Sequence, residues 1–388
     1  MLMWRKGRED LNRKSMTVKH RSLMITVILG LVTFIFFQSY LRARSGINIP
    51  YLTFLLELVA IALILAVLFH EKKIKSIHFW SLYVLTIFSF IVGTLKVSHV
   101  GGFQFSFESF PVFISLIAAF YSAYFLFLYE KVGQFIYLLI ITIYLDFFLF
   151  FTIGGNVKTD FFVGASYNFT SSLLLFLSMA ITTFRFYKSK QVLIWPAIIA
   201  LAYCVYVLDA RASLVISALF FLAVILKRYG AVNKLMIVGI SCIFLFVLFL
   251  IADTIYQMFI DTRLGARGLD SPRWVMWKEY FQKLDLMTFI FGLDLDSVES
   301  VKVFNLNPHN SLIKLHSNLG MLAVLLFSWV LIQACRGVFN NRAFPAIIFI
   351  LMMARCLTDS LVFPGLLSIL FFIIYFSLIN KLGKSPAR

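Results

Sequence analysis

Twelve long runs of apolar residues recur along the chain, separated by short polar breaks. Each is close to the roughly 20 residues an α-helix needs to cross a hydrocarbon core about 30 Å thick. The runs are Leu23–Leu41, Pro50–His70, His78–Val97, Phe110–Tyr129, Gly133–Thr152, Thr170–Tyr187, Gln191–Asp209, Ala212–Lys227, Leu235–Ile255, Leu312–Cys335, Phe344–Asp359 and Leu361–Asn380. Only Ala210 and Arg211 separate the seventh from the eighth, which predicts a tight hairpin or one broken helix. The first run lacks a small-residue cleavage site near Gln38-Ser39-Tyr40 and reads as a span, not a cleavable signal. The predicted fold is all-α: a polytopic transmembrane bundle of about twelve helices. It divides into an arm (1–22), helices one to nine (23–255), a long loop (256–311), helices ten to twelve (312–380) and a tail (381–388).

Composition agrees. The chain is 61% hydrophobic and 14% charged, with a mean hydropathy of +0.92 and 45 phenylalanines. A soluble domain usually carries about 25% charged residues. A bilayer can hide this much apolar surface, and water cannot.

The formal net charge of +17 suggests nucleic acid at first sight, but its distribution fits topology instead. Basic residues accumulate in short cytoplasmic loops. With the N-terminus inside, the inner segments hold Arg5, Lys6, Arg8, Arg13, Lys14, Lys19 and Arg21, then Lys72, Lys73 and Lys75, then Lys131. They continue with Arg185, Lys188 and Lys190, then Lys227, Arg228 and Lys234, then Arg336 and Arg342, and finally Lys381, Lys384 and Arg388. This is most of the 35 basic residues, and it predicts both termini in the cytoplasm of a bacterial inner membrane, with no nucleic-acid partner. Cys204, Cys242, Cys335 and Cys356 all fall in or at the ends of spans, so no disulfide is expected in the outer loop.

Ionisable groups within apolar spans are expensive and default to functional candidates. Glu57, Lys96, Asp146, Asp209, Arg211, Asp253, Lys314, His316, Arg355 and Asp359 all fall in outer halves or at outer boundaries in this topology. A helix-end residue can simply snorkel to water, but their shared side points to chemistry at the periplasmic face. A transporter would favour a midplane site at a repeat interface.

The long loop holds the least ordinary sequence. In Leu269-Asp270-Ser271-Pro272-Arg273-Trp274, Ser271 suits an N-cap and Pro272 the first helical position. Trp274, Trp277, Phe281 and Leu284 then fall at helical spacing, predicting a short amphipathic helix at the membrane surface or against the bundle, with Arg273 at the boundary. Arg263 and Arg267 precede it in a glycine-rich stretch. Further on, Pro308 ends the irregular stretch and Asn310 or Ser311 can cap the tenth span, placing His309 at a helix mouth; a lone histidine there is ordinarily a capping neighbour. Asp294-Leu295-Asp296 looks like the Asp-x-Asp of sugar-nucleotide enzymes, but it lies outside, where nucleotide sugars are not supplied.

Three stretches resemble the bacterial O-antigen polymerase and O-antigen ligase superfamily: Asp209-Ala210-Arg211-Ala212-Ser213-Leu214, Ser271-Pro272-Arg273-Trp274-Val275-Met276-Trp277, and His309-Asn310-Ser311-Leu312 with Gly320 downstream. The third is the most specific. Ala210 and Pro272 precede the two arginines, the latter where glycine is commoner in the family. The resemblance implies a membrane glycosyltransferase of the GT-C-like type. It would use an undecaprenyl-diphosphate-linked oligosaccharide as donor, a sugar hydroxyl as acceptor and membrane lipid as its surroundings. It also implies a chain-length-regulating co-polymerase as a possible partner. No cofactor or metal is implied. Arginine suits the departing diphosphate because its planar fork pairs with phosphate oxygens and stays charged. Arg211 and Arg273 are expected to serve as catalytic cations, with Arg263, Arg267 and Arg355 as weaker candidates. Histidine is the usual general base, so His309 is expected as base or acceptor-orienter, Asn310 beside it, and Glu57 or Asp146 as aids to acceptor alignment. Polymerase is the preferred reading. A ligase transferring the glycan to lipid A core shares the chemistry, a flippase would need internal repeats and a charged central cavity, and a cell-wall glycan polymerase fits the His-Asn start less well.

Overall fold

The computed structural model describes residues 2–46, 50–70, 95–97, 103–105, 109–156, 160–163, 168–207, 211–229, 272–339, 342–361 and 367–379. Almost all of them are helical. In chain order the helices are α1 (Leu2–Ser45), α2 (Pro50–His70), α3 (Ser109–Leu128), α4 (Val132–Thr152), α5 (Asn168–Ser189), α6 (Trp195–Val207), α7 (Arg211–Tyr229), α8 (Pro272–Gln282), α9 (Leu286–Phe291), α10 (Glu299–Lys302), α11 (Ser311–Leu319), α12 (Met321–Phe339), α13 (Ala343–Leu357) and α14 (Ser368–Ile379). Two short antiparallel strands, β1 (Leu95–Val97) and β2 (Phe103–Phe105), pair with Lys96 opposite Gln104.

Among the described residues, seven helices are long and apolar enough to cross a membrane: α1 from Arg21 onward, α2, α3, α4, α5, α7 and α12. α6, α13 and α14 are apolar but shorter. Both faces of a spanning helix are apolar, which separates it from a surface helix of a soluble protein. On α4, Val132, Phe135, Ile136, Leu139 and Ile143 are buried, while Leu138, Ile141, Leu145 and Phe148 face outward. The chain is a helical membrane protein.

α5 and α14 form the centre. Every residue from Ser368 to Leu378 is buried, and α14 packs on α3, α5, α12 and α13. Edge-to-face aromatic contacts fill the seams, as where the Phe120 ring meets Phe372 at 5.4 Å. Separate from this core, Met276, Tyr280, Leu293, Leu295, Val298, Val301 and Ile313 bury one another in a small cluster of their own. That cluster makes the segment from α8 to α11 a packed cap.

Several expectations need correction. The run Leu312–Cys335 is two helices, because Gly320 breaks it at φ +57°. A Cβ there would lie 2.0 Å from the Ile290 carbonyl oxygen of α9, so only glycine lets the cap cross this corner. The run His78–Val97 lies mostly outside the described residues, and its last three residues are strand. The run Leu235–Ile255 lies wholly outside them. Residues 191–209 and 361–380 supply shorter helices than expected, α6 and α14, and α6 and α7 pack side by side as a hairpin. α1 runs without a break from the basic arm into the first candidate span, which begins at Arg21.

Candidate active site at the helix ends

α13 ends at Leu357, and the turn beyond it carries Asp359. One turn earlier, Arg355 is only 1% exposed. A buried guanidinium needs acceptors on all sides, and it has them. Nη2 donates to Asp359 Oδ2 (3.2 Å), Nη1 to Thr358 Oγ1 (3.0 Å) and Nε to Ser213 Oγ (2.9 Å). Ser213 stands two residues inside α7, so its hydroxyl ties the start of α7 to the end of α13, and Ser171 of α5 donates to it in turn (3.0 Å).

Asp359 Oδ1 receives a second partner, His309 Nδ1, at 3.2 Å. His309 has φ +49°, a left-handed conformation unusual for a non-glycine residue, and Asn305 and Leu306 just before it are also left-handed. Such backbone costs of order 1–3 kcal/mol per residue and persists only where its surroundings enforce it. Here Asn307 Oδ1 accepts from His309 N (3.0 Å), Ser360 Oγ accepts from Asn310 N (3.1 Å) and Trp277 Nε1 donates to Pro308 O (2.9 Å). Asn310 then caps α11, its side-chain oxygen accepting from Leu312 N and Ile313 N. Ser311 donates to Asp359 O (2.8 Å). The turn is thus bolted to the end of α13 from both sides of His309.

Burial by itself would raise the Asp359 carboxyl, but the His309 ring and the Arg355 and Arg273 guanidiniums outweigh it and hold it well below the usual carboxylate range. An ionised Asp359 accepts the Nδ1 proton of His309. Nε2 then carries the lone pair, and it has no partner among the described residues. The side chain is 18% exposed. An oriented imidazole with an accessible basic nitrogen is the arrangement a general base requires.

Arg273 joins from the cap. Its Nη1 donates to Thr358 O at 2.6 Å. Pro272 is the first helical residue of α8, as expected, while Ser271 lies outside the described residues. The expected stripe on α8 is only partly packed: Trp277 and Leu284 lie against the cluster of the buried Met276 and Tyr280, while Trp274 and Phe281 are 68% and 60% exposed. Burial of Tyr280 raises its hydroxyl above the ordinary tyrosine value, and that hydroxyl lies 2.6 Å from His316 Nδ1. His316 Nε2 lies 3.0 Å from the Phe289 carbonyl, so Nε2 carries the hydrogen and Nδ1 accepts from Tyr280. His316 is structural.

The sequence-derived candidates therefore fall into three groups. His309, Arg273, Arg355 and Asn310 come together. Arg211 begins α7, two residues before the Arg355 partner Ser213, and its side chain lies outside the described residues, as do Arg263 and Arg267 entirely. Glu57 sits elsewhere, buried on α2 and accepting from Ser115 Oγ (2.7 Å). Asp146 pairs with Arg44 (3.3 Å) and Tyr40 (2.5 Å), fastening α1 to α4. Asp294 caps a short 3-10 turn by accepting from Asp296 N. Asp359 was noted among the ionisable groups at outer helix ends but, like Ser213, was given no role in the site. The four-residue spacing of Arg355 and Asp359 at the end of an apolar run was the available signal.

Comparison with known proteins gives no match: no family model fits the chain, and no curated protein or solved structure is significantly similar to it.

Proposed function

We propose that the chain is a glycosyltransferase joining undecaprenyl-diphosphate-linked oligosaccharide repeats, an O-antigen or related surface-polysaccharide polymerase. In this reading the bundle has about twelve helices of the GT-C-like type in the inner membrane, both termini are cytoplasmic and the site faces the periplasm. The observation that carries it is the His309–Asp359–Arg355 constellation with Arg273 laid against it, at helix ends beneath a packed cap. The acceptor hydroxyl attacks the anomeric carbon of the donor. Its proton passes to His309 Nε2, while the bond from that carbon to the diphosphate oxygen breaks and its electron pair leaves with the diphosphate. Arg273 and Arg211 supply positive charge where negative charge develops, and Arg355 holds Asp359 so that the imidazole stays oriented. The ligase reading uses the same steps with lipid A core as acceptor.

The test is a lipopolysaccharide ladder gel from a strain deleted for the gene and complemented with wild type, His309→Ala or Arg273→Ala. A single repeat on the core after deletion, unrestored by either variant at normal membrane levels, is the expected result. Bare core with polymer accumulating on the lipid carrier would make the protein the ligase. An unchanged ladder, or full activity of Arg273→Ala, would overturn the assignment.

A further inference from the structure

A cavity of about 330 Å³ lies among α1, α2, α3 and α11, with Phe169 of α5 and Ile369 of α14 also in its lining. None of His309, Asp359, Arg355 and Arg273 lines it, although Lys314 of its lining lies within the field of Asp359. Arg42 of α1 and Lys314 of α11 line it together with Glu57, Ser39, Val32 and Phe36. Neither cation has a hydrogen-bond or ion-pair partner among the described residues. Burial lowers the Lys314 ammonium below the usual lysine value, the nearby Arg42 adds to this, and Asp359 opposes it.

Two cations at one cavity repel each other, less strongly because Arg42 is exposed to solvent, and together they favour an anion between them. The single carboxyl there, Glu57, is already occupied by the Ser115 hydroxyl. Among the lining residues one carboxyl faces two cations, and Asp359, the nearby carboxylate outside the lining, is already engaged by Arg355 and His309. An arginine fork beside a lysine ammonium is the chemistry that receives phosphoryl oxygens.

The lining also has a direction. Along α1, Val32 and Phe36 lie at one end, Ser39 in the middle and Arg42 at the other. A rise of about 1.5 Å per residue puts Arg42 roughly 15 Å from Val32. A free phosphate would fill only the cationic end.

We propose that this cavity seats the phosphoryl head of a lipid, with Arg42 and Lys314 on its oxygens and the first units of its hydrocarbon chain along Val32 and Phe36. The proposal rests on the reading of this chain as an enzyme of lipid-linked phosphates. In that reading it supplies a seat for a second lipid-linked substrate, apart from the arginines that face the leaving group.

The experiment places photoreactive benzoylphenylalanine at Ile35, which lines the same cavity, in the full chain in nanodiscs. It measures labelling by radioactive undecaprenyl phosphate, with uncharged undecaprenol as one control and inorganic diphosphate as competitor. Undecaprenyl phosphate should label the protein, and undecaprenol about tenfold less, as loss of charge-assisted hydrogen bonds implies. Arg42→Gln with Lys314→Gln should reduce labelling by a similar factor of about ten, and Arg42→Lys with Lys314→Arg should restore most of it, which separates a lost site from a misfolded protein. Labelling of the double glutamine variant within about twofold of the parent overturns the proposal, as does equal labelling by undecaprenol. Complete competition by equimolar inorganic diphosphate would show the free ion to be the ligand and overturns it too. Adding His309→Ala should leave labelling intact. Loss of the seat is therefore distinguishable from failure of the catalytic reading, which the ladder gel reports independently.

Discussion

Removing the Asp359 carboxylate tests the constellation energetically, independent of any substrate. Asp359→Ala deletes the acceptor of three donors: Arg355 Nη2 at 3.2 Å, His309 Nδ1 at 3.2 Å and Ser360 N at 3.0 Å. Arg355 would keep only the hydroxyls of Ser213 and Thr358 while remaining 1% exposed. Breaking a buried pair this way costs roughly 3–5 kcal/mol, because it leaves a charge uncompensated. Replacing both partners differs. In Arg355→Met with Asp359→Ala no charge remains; Ser213 keeps the hydrogen bond from Ser171, and the Thr358 hydroxyl keeps its own donation to the Arg355 carbonyl (2.9 Å). The double variant should therefore recover about 2 kcal/mol relative to Asp359→Ala. The assay is unfolding in mixed micelles followed by tryptophan fluorescence at pH 7. The pH matters because the folded carboxyl titrates below its unfolded value near 3.9. Its contribution is then fully present above about pH 4 and is lost only as pH falls through the folded value. A double variant as unstable as the sum of the singles would refute the claim that Arg355 and Asp359 stabilise each other.

Gly320→Ala should destabilise by more than about 2 kcal/mol, since it combines strained φ with a clash against the Ile290 carbonyl; a melting temperature unchanged from the parent would remove the steric argument. Burial holds the His316 ring below its ordinary titration, so the neutral form is the folded one. Stability from this group is full above the unfolded value near 6.5 and declines as pH falls below it. Melting curves at pH 7.5 and 5.5 should show the loss, and His316→Gln should flatten it; an equally steep profile in the variant would place the titration elsewhere. Chelating agents should leave glycan joining unaffected if charge on the diphosphate is met by arginine alone, and restoration of a chelated preparation by a divalent ion would contradict that.

Much of the bundle was legible because the signal is local. Runs apolar on every face fix α2, α3, α4, α5 and α7 to within a few residues. What was not legible depends on tertiary geometry. Hydropathy runs unbroken from Leu312 to Cys335, so nothing in it shows that the chain changes direction at Gly320. Helical spacing on α8 marked Trp274 and Phe281 as one face with Trp277 but could not show that Met276 and Tyr280 are the buried residues. His309, Asn310 and Arg273 were recoverable from short motifs. Asp359 stood out only as one of many ionisable groups near helix ends, and its pairing with His309 was not legible because the two lie 50 residues apart. Arg42 and Lys314 escaped notice as a pair because they meet only when α1 and α11 pack near a common cavity.

The separation between partners has a consequence for how the protein is made. Ser213 and Arg355 are 142 residues apart. A ribosome adding about 5–20 residues per second needs roughly 7–30 s to travel from one to the other. Throughout that interval α7 is in the bilayer with its polar end awaiting a partner not yet synthesised. Ser171, only 42 residues upstream, is already available to hold the Ser213 hydroxyl. The serine pair can therefore form before Arg355 is made, and Arg355 adds its own hydrogen bond to Ser213 afterwards.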